Sequence, residues 1–190
     1  VRRRKMDNEK PDLKLWMRNL PNKLTLFRIA VIPVIAFLYI WDVRPLNYLA
    51  AALFAIGAIT DFLDGYIARL TNNVTRMGEV LDPISDKLLV MAALVILTEA
   101  GIVGGWITIL VLCREIGISG LRLAASEQGF SIKVSSFGKI KTALQDVAIT
   151  LLLLRIDEYH IPGMVLLWVS IGFSYFSAWA YWNKFWEHSR

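Results

Sequence analysis

Residues 46–98 read LNYLAAALFAIGAITDFLDGYIARLTNNVTRMGEVLDPISDKLLVMAALVILT. Two long apolar runs flank a short polar linker, and Asp61, Asp64, Asp82 and Asp86 stand at the inner ends of those runs. Crossing a hydrocarbon layer of ~30 Å takes roughly 20 mostly apolar residues in a helix. The stretch therefore predicts two antiparallel membrane helices, near 46–70 and 80–98, joined by a tight turn between Leu70 and Met77. Ionisable side chains in such helices are costly and mark function by default. Asp61 and Asp64 are spaced i, i+3, and Asp82 and Asp86 are spaced i, i+4, so each pair shares one helix face. Antiparallel neighbours bring both pairs to the same end. Four carboxylates in a partly dry site repel one another, so one takes up a proton or a cation neutralises them. Oxygen-only donors favour Mg²⁺, Mn²⁺ or Ca²⁺ over zinc, and Mg²⁺ shares its coordination with water and substrate phosphates.

Working outward, further apolar runs near 24–41, 103–125, 142–155 and 163–182 complete a six-helix plan. The chain has 190 residues, 56% of them hydrophobic, with a mean hydropathy of +0.50. The expected fold is all-α: a polytopic membrane protein with six transmembrane helices and an N-terminal amphipathic interfacial helix. The expected segments are a polar tail over 1–11, the interfacial helix over 12–21, a catalytic bundle over 22–183 and a tail over 184–190. Leu13, Trp16, Met17 and Leu20 define the apolar face of the interfacial helix, with Lys14 and Arg18 elsewhere on it, and Pro21 marks the turn into the bilayer. No segment before Leu24 reads as a cleavable leader.

The net charge of +5 and the pI of about 9.4 are accounted for by topology, and nucleic acid is not expected as a partner. Arg44 and Arg155 alone fall on one side of the plan. The basic cluster of residues 1–24, with Arg69, Arg76, Lys133, Lys139, Lys141, Lys184 and Arg190, falls on the other. That bias puts both termini and the aspartates in the cytoplasm. Trp16, Trp41, Trp106, Trp168, Trp182 and Trp186 are expected near helix ends, as an interfacial belt. Cys113, the only cysteine, excludes an internal disulfide and is expected to be a small core residue. His160 and His188 have no partner at ligand spacing, and Gly101-x-x-x-Gly105 reads as a loop.

The run Asp61-x-x-Asp64-Gly65-x-x-Ala68-Arg69, then eight residues, then Gly78-x-x-x-Asp82-x-x-x-Asp86, resembles the signature of the CDP-alcohol phosphotransferases in every fixed position and spacing. The resemblance implies that Asp61, Asp64 and Asp82 bind metal, with two Mg²⁺ or Mn²⁺ ions as cofactors. It implies that these ions hold the pyrophosphate of a CDP-linked donor. Asp86 would be the general base and could touch the second ion. Gly65, Gly78 and Ala68 would let a cytidine ring or phosphate approach the backbone, and Arg69 would pair with a carboxylate or phosphate oxygen. A homodimer is expected from the resemblance alone.

The acceptor is read from other residues. Arg114, Arg122, Lys139 and Lys141 fall toward the same end as the aspartates and are candidates for binding a phosphate on the acceptor. Thr25 and Arg28 are further candidates. Asn19-Leu-Pro21-Asn22-Lys-Leu24-Thr25-Leu-Phe-Arg28 and Arg114-Glu115-Ile-Gly-Ile-Ser119-Gly120-Leu121-Arg122 are similar to stretches of the branch that makes bacterial phosphatidylglycerophosphate. That likeness implies transfer of a phosphatidyl group from CDP-diacylglycerol to sn-glycerol 3-phosphate in a bacterial inner membrane. Serine, an inositol phosphate or phosphatidylglycerol as acceptor, or a divalent-cation transporter, are the alternatives.

Overall fold

The computed structural model describes the backbone of residues 13–71, 76–127 and 136–188, and the side chains of residues 24–60, 84–85, 87–127, 138–183 and 186. The polar tail expected over 1–11, the aspartates' side chains and those of Gly65, Ala68, Arg69 and Gly78 lie outside the described residues. The backbone forms six helices: α1 (Leu13–Ile40), α2 (Arg44–Thr71), α3 (Arg76–Glu99), α4 (Gly105–Glu127), α5 (Ser136–Leu153) and α6 (Asp157–His188). No strand occurs among the described residues.

Short connections make successive helices run up and down. Helix α3 touches α1, α2, α4 and α5, while α5 also packs on α2 and α6. Helix α4 leans on α3 and α6. Where α1, α3 and α5 end, the chain turns on left-handed residues: Asp42 at φ 49°, Gly101 at φ 71° and Arg155 at φ 53°. At Gly101 the amide of Ile102 donates to Leu97 O at 2.9 Å and that of Gly101 to Thr98 O at 3.0 Å. This pair of bonds is the Schellman termination, in which glycine avoids the Cβ penalty of the left-handed turn. Asp42 and Arg155 bear that penalty, and their side chains form an ion pair with each other across the two turns.

The core lies toward this end. Ile35, Phe54, Leu94, Leu97, Ile149, Leu152, Leu153 and Leu167 are buried there. Outside the core the usual distribution is inverted. Ile40, Ile161 and Trp179 are 78%, 71% and 69% exposed, whereas Arg28, Thr25 and Asn47 are buried. Among the described residues, Asp157–Asn183 is long and apolar enough to cross a membrane, with 27 residues at a mean hydropathy of 1.5, and Leu24–Ile40 is a shorter apolar stretch.

Several expectations need correction. Helix α1 runs through Pro21, so the segments expected to be interfacial and spanning form one helix rather than two joined by a turn. Helix α6 starts at Asp157, ahead of Pro162, with Asp157 and Glu158 in its first turn. Acids at a helix N-terminus are favoured by the macrodipole, and the start precedes the expected position near 163. Trp168 consequently lies well inside α6, although it still meets Trp106 at the start of α4, with ring centroids 5.1 Å apart. Helix α6 also continues through residues 184–188. Cys113 is exposed rather than in the core. It sits two residues from both Val111 and Glu115, which are buried, and positions two apart face away from each other.

Candidate active site

The aspartates take their positions from α2 and α3. Asp61 and Asp64 belong to α2, Asp82 and Asp86 to α3. These helices are in contact, and the contact is close near the aspartates. A Cβ on Gly57 of α2 would stand 2.8 Å from Leu89 Cδ2 of α3. Gly57 precedes Asp61 by one turn and Leu89 follows Asp86 by one turn, so the absent side chain draws together the segments that carry both pairs. The donor set, carboxylates only and on adjoining helices, fits a hard divalent cation in its chemistry. Among the described residues themselves, no group of three or more His, Cys, Asp or Glu forms a metal-sized cluster.

Around these segments the interior is polar. Arg28 of α1 is fully buried, and its Nη1 donates to Ser85 Oγ at 3.1 Å. Ser85 lies between Asp82 and Asp86 in α3, so a guanidinium is docked on the aspartate-bearing segment. Thr25, one turn before Arg28, is also buried. Lys87, next to Asp86 in sequence, donates its ammonium to Ser119 Oγ of α4. Ser119 Oγ in turn donates to Glu115 O at 2.5 Å.

Glu115 is the centre of a second cluster. Its carboxylate accepts from Arg114 Nη1 at 2.8 Å and from the Lys141 ammonium of α5. Arg114 also donates from Nε to Ser174 O at 3.2 Å and from Nη2 to Ser177 Oγ at 2.7 Å, both on α6. One buried carboxylate therefore ties α4 to α5 directly and to α6 through the guanidinium. Lys87, Val90, Glu115, Lys141, Thr142 and Gln145 line a cavity of about 30 Å³ between α3, α4 and α5. Nearer the end of α4, Arg122 Nη2 donates to Tyr181 OH at 2.8 Å, and its guanidinium carbon lies 5.0 Å from that ring's centroid.

The four basic candidates are thus not equivalent. Arg114 and Lys141 meet at Glu115, Arg122 stands apart on Tyr181, and Lys139 is exposed. Arg114 already makes three protein hydrogen bonds and works first as a strut between helices. Sequence reasoning passed over Ser85, Lys87, Ser119, Gln145 and Tyr181 as site residues. It also passed over Ser170, Ser174 and Ser177, which are buried on α6. Their spacing along one face of an apolar helix was the available signal.

A family model described as CDP-alcohol phosphatidyltransferase matches residues 18–176. The chain is 40% identical to CDP-diacylglycerol–glycerol-3-phosphate 3-phosphatidyltransferase of Bacillus subtilis, over 90% of this chain and 97% of that one. It is 42% identical to the protein of the same description from Rickettsia typhi, over 85% and 97% of the two chains. The corresponding protein of Escherichia coli K12 is 39% identical, over 80% and 86%.

Proposed function

This chain belongs to the CDP-alcohol phosphatidyltransferase family, and on that premise we propose that it transfers the phosphatidyl group of CDP-diacylglycerol to sn-glycerol 3-phosphate. The products are phosphatidylglycerophosphate and CMP. The observation that carries this reading is the roughly 40% identity, over nearly the full length of both chains, to relatives described by that reaction. The intact aspartate signature, which lies within the matched stretch, supports the family's phosphotransfer chemistry.

In this mechanism the terminal hydroxyl of glycerol 3-phosphate attacks the phosphorus that bears the diacylglycerol. The new P–O bond forms as the bond to the CMP oxygen breaks. Asp86 takes the hydroxyl proton, a role worth about 10²–10⁴-fold in rate. Asp61, Asp64 and Asp82, with Asp86, would hold two Mg²⁺ or Mn²⁺ ions, which supply charge neutralisation at the pyrophosphate and at the attacking and leaving oxygens. Gly65, Ala68 and Gly78 leave room for the cytidine, and Arg69 pairs with an anionic oxygen. Lys141, Lys139 and Arg122 receive the acceptor phosphate. Arg114 holds α4 on α6 behind them, and Arg28, with Thr25 one turn away, anchors α3.

The exposed apolar side chains and the buried polar ones support a chain that lies in lipid, with six membrane-spanning helices and with α1 beginning at the surface. The reading places it in the bacterial cytoplasmic membrane, as a homodimer, with both termini and the active site facing the cytoplasm. CDP-diacylglycerol then keeps its acyl chains in the bilayer while its head group meets α2 and α3.

The test is CMP release by purified protein with CDP-diacylglycerol and Mg²⁺ or Mn²⁺, supplying glycerol 3-phosphate, serine or inositol phosphate in turn. Release with glycerol 3-phosphate alone is the expected result. Release with another alcohol only would discard the acceptor and keep the aspartate chemistry. No release with any acceptor would overturn the reaction.

A further inference from the structure

Gln145 of α5 is 3% exposed, and its Nε2 has no hydrogen-bond partner among the described residues. Leaving a buried amide group unpaired is costly, yet this one sits against the polar cavity of about 30 Å³ beside Lys87, Glu115, Lys141 and Thr142. The neighbours have other engagements. Thr142 Oγ1 donates to Gly138 O at 3.1 Å, and Glu115 accepts from Arg114 and Lys141.

We propose that Gln145 hydrogen-bonds the secondary hydroxyl of the acceptor and so sets the enzyme's preference for a polyol phosphate. The inference rests on the reaction proposed above and adds a residue that reads the substrate. Three features carry it. The cavity, at about 30 Å³, has room for a water or a single hydroxyl. The amide is neutral, as a hydroxyl is, and because a hydroxyl both donates and accepts it satisfies the amide in either orientation. The third feature is position. Gln145 follows Lys141 by one turn on the same face of α5, and Lys87 follows Asp86 on α3. The cavity therefore lies between a cation suited to the acceptor phosphate and the helix segment that carries the proposed base. An acceptor held by its phosphate at one side and reacting through its terminal hydroxyl at the other has its central carbon between them.

The experiment compares sn-glycerol 3-phosphate with 3-hydroxypropyl phosphate, which keeps the phosphate and the terminal hydroxyl but lacks the secondary one. Steady-state kcat/KM is measured for both, in wild-type protein and in Gln145→Met, which has a similar length and no amide. The wild type is expected to favour glycerol 3-phosphate by about three- to tenfold, the worth of one neutral hydrogen bond. Gln145→Met is expected to lose that preference while its KM for CDP-diacylglycerol stays unchanged. A Gln145→Met protein that keeps the wild-type preference, as it would if the amide held only a water, overturns the proposal, as does a wild type with no preference. Should Gln145→Met fail to fold, Gln145→Asn, with the amide withdrawn by one methylene, decides in the same way: losing the preference supports the proposal and keeping it overturns it. A wild type inactive with glycerol 3-phosphate but active with another alcohol would fail the proposed reaction itself, a result distinct from a retained preference.

Discussion

Where α1, α3 and α5 end, the bundle closes over Ile35, Phe54, Leu97, Leu152 and Leu167, and Asp42 and Arg155 pair at the surface. Toward the opposite end Arg28, Glu115 and Lys141 are buried. Apolar packing is the less expensive way to join helices, because each buried charge has to be compensated by partners. The second region uses charge where leucine would serve stability better. The difference teaches that one end is built for cohesion and the other, on the function proposed above, for handling anions, and that mutations at the two ends should fail in different ways.

The sharpest break is Asp86→Asn. Turnover should fall by about 10²–10⁴-fold while the thermal midpoint in detergent stays near wild type, read by CMP release and by a melting curve on one preparation. Phe54→Ala should do the reverse. It removes a fully buried ring and should cost about 3–5 kcal/mol of stability, with an unchanged KM for glycerol 3-phosphate in the molecules that remain folded. Glu115→Leu belongs to both categories. Loss of the acceptor shared by Arg114 and Lys141 should cost about 3 kcal/mol and also raise the KM for glycerol 3-phosphate, because Lys141 loses its anchor.

Smaller effects refine the contrast. A Cβ on Gly163 would meet Leu152 Cδ2 and Cγ at 2.9 Å, where α5 and α6 pack. Gly163→Ala should cost about 1–3 kcal/mol and leave both substrate KM values alone. Arg155→Gly should change stability by no more than about 1 kcal/mol. It loses an exposed ion pair of small worth and relieves a left-handed backbone at φ 53°. A melting curve at low and at high salt would separate the two contributions.

Much of this contrast can be read along the chain, because it depends on periodicity and composition. The apolar runs mark six helices, and spacings within one turn mark the aspartate pairs. The connections across the bundle are not legible in that way. Arg28 to Ser85, Arg114 to Ser177 and Arg122 to Tyr181 join residues that are far apart in sequence, and no local pattern states which helix a buried cation will meet. Arg114 illustrates the limit. Its place near the acidic end suggests a substrate ligand, but only packing reveals that α6 takes its Nε and Nη2 donors and Glu115 its Nη1. Pro21 suggests a break because proline lacks an amide donor and disfavours a helix interior, yet α1 continues through it, as α6 does through Pro162. Propensity is a weak prior that tertiary context overrides.

The most direct test of the central claim uses sn-glycerol 3-phosphate carrying ¹⁸O in its terminal hydroxyl, incubated with CDP-diacylglycerol, Mg²⁺ and purified protein, with the products weighed by mass spectrometry. Attack by that oxygen on the phosphorus beside the diacylglycerol predicts labelled phosphatidylglycerophosphate and unlabelled CMP. Formation of phosphatidic acid together with a labelled CMP diester of glycerol 3-phosphate would mean that the other phosphorus is attacked, and would contradict the account.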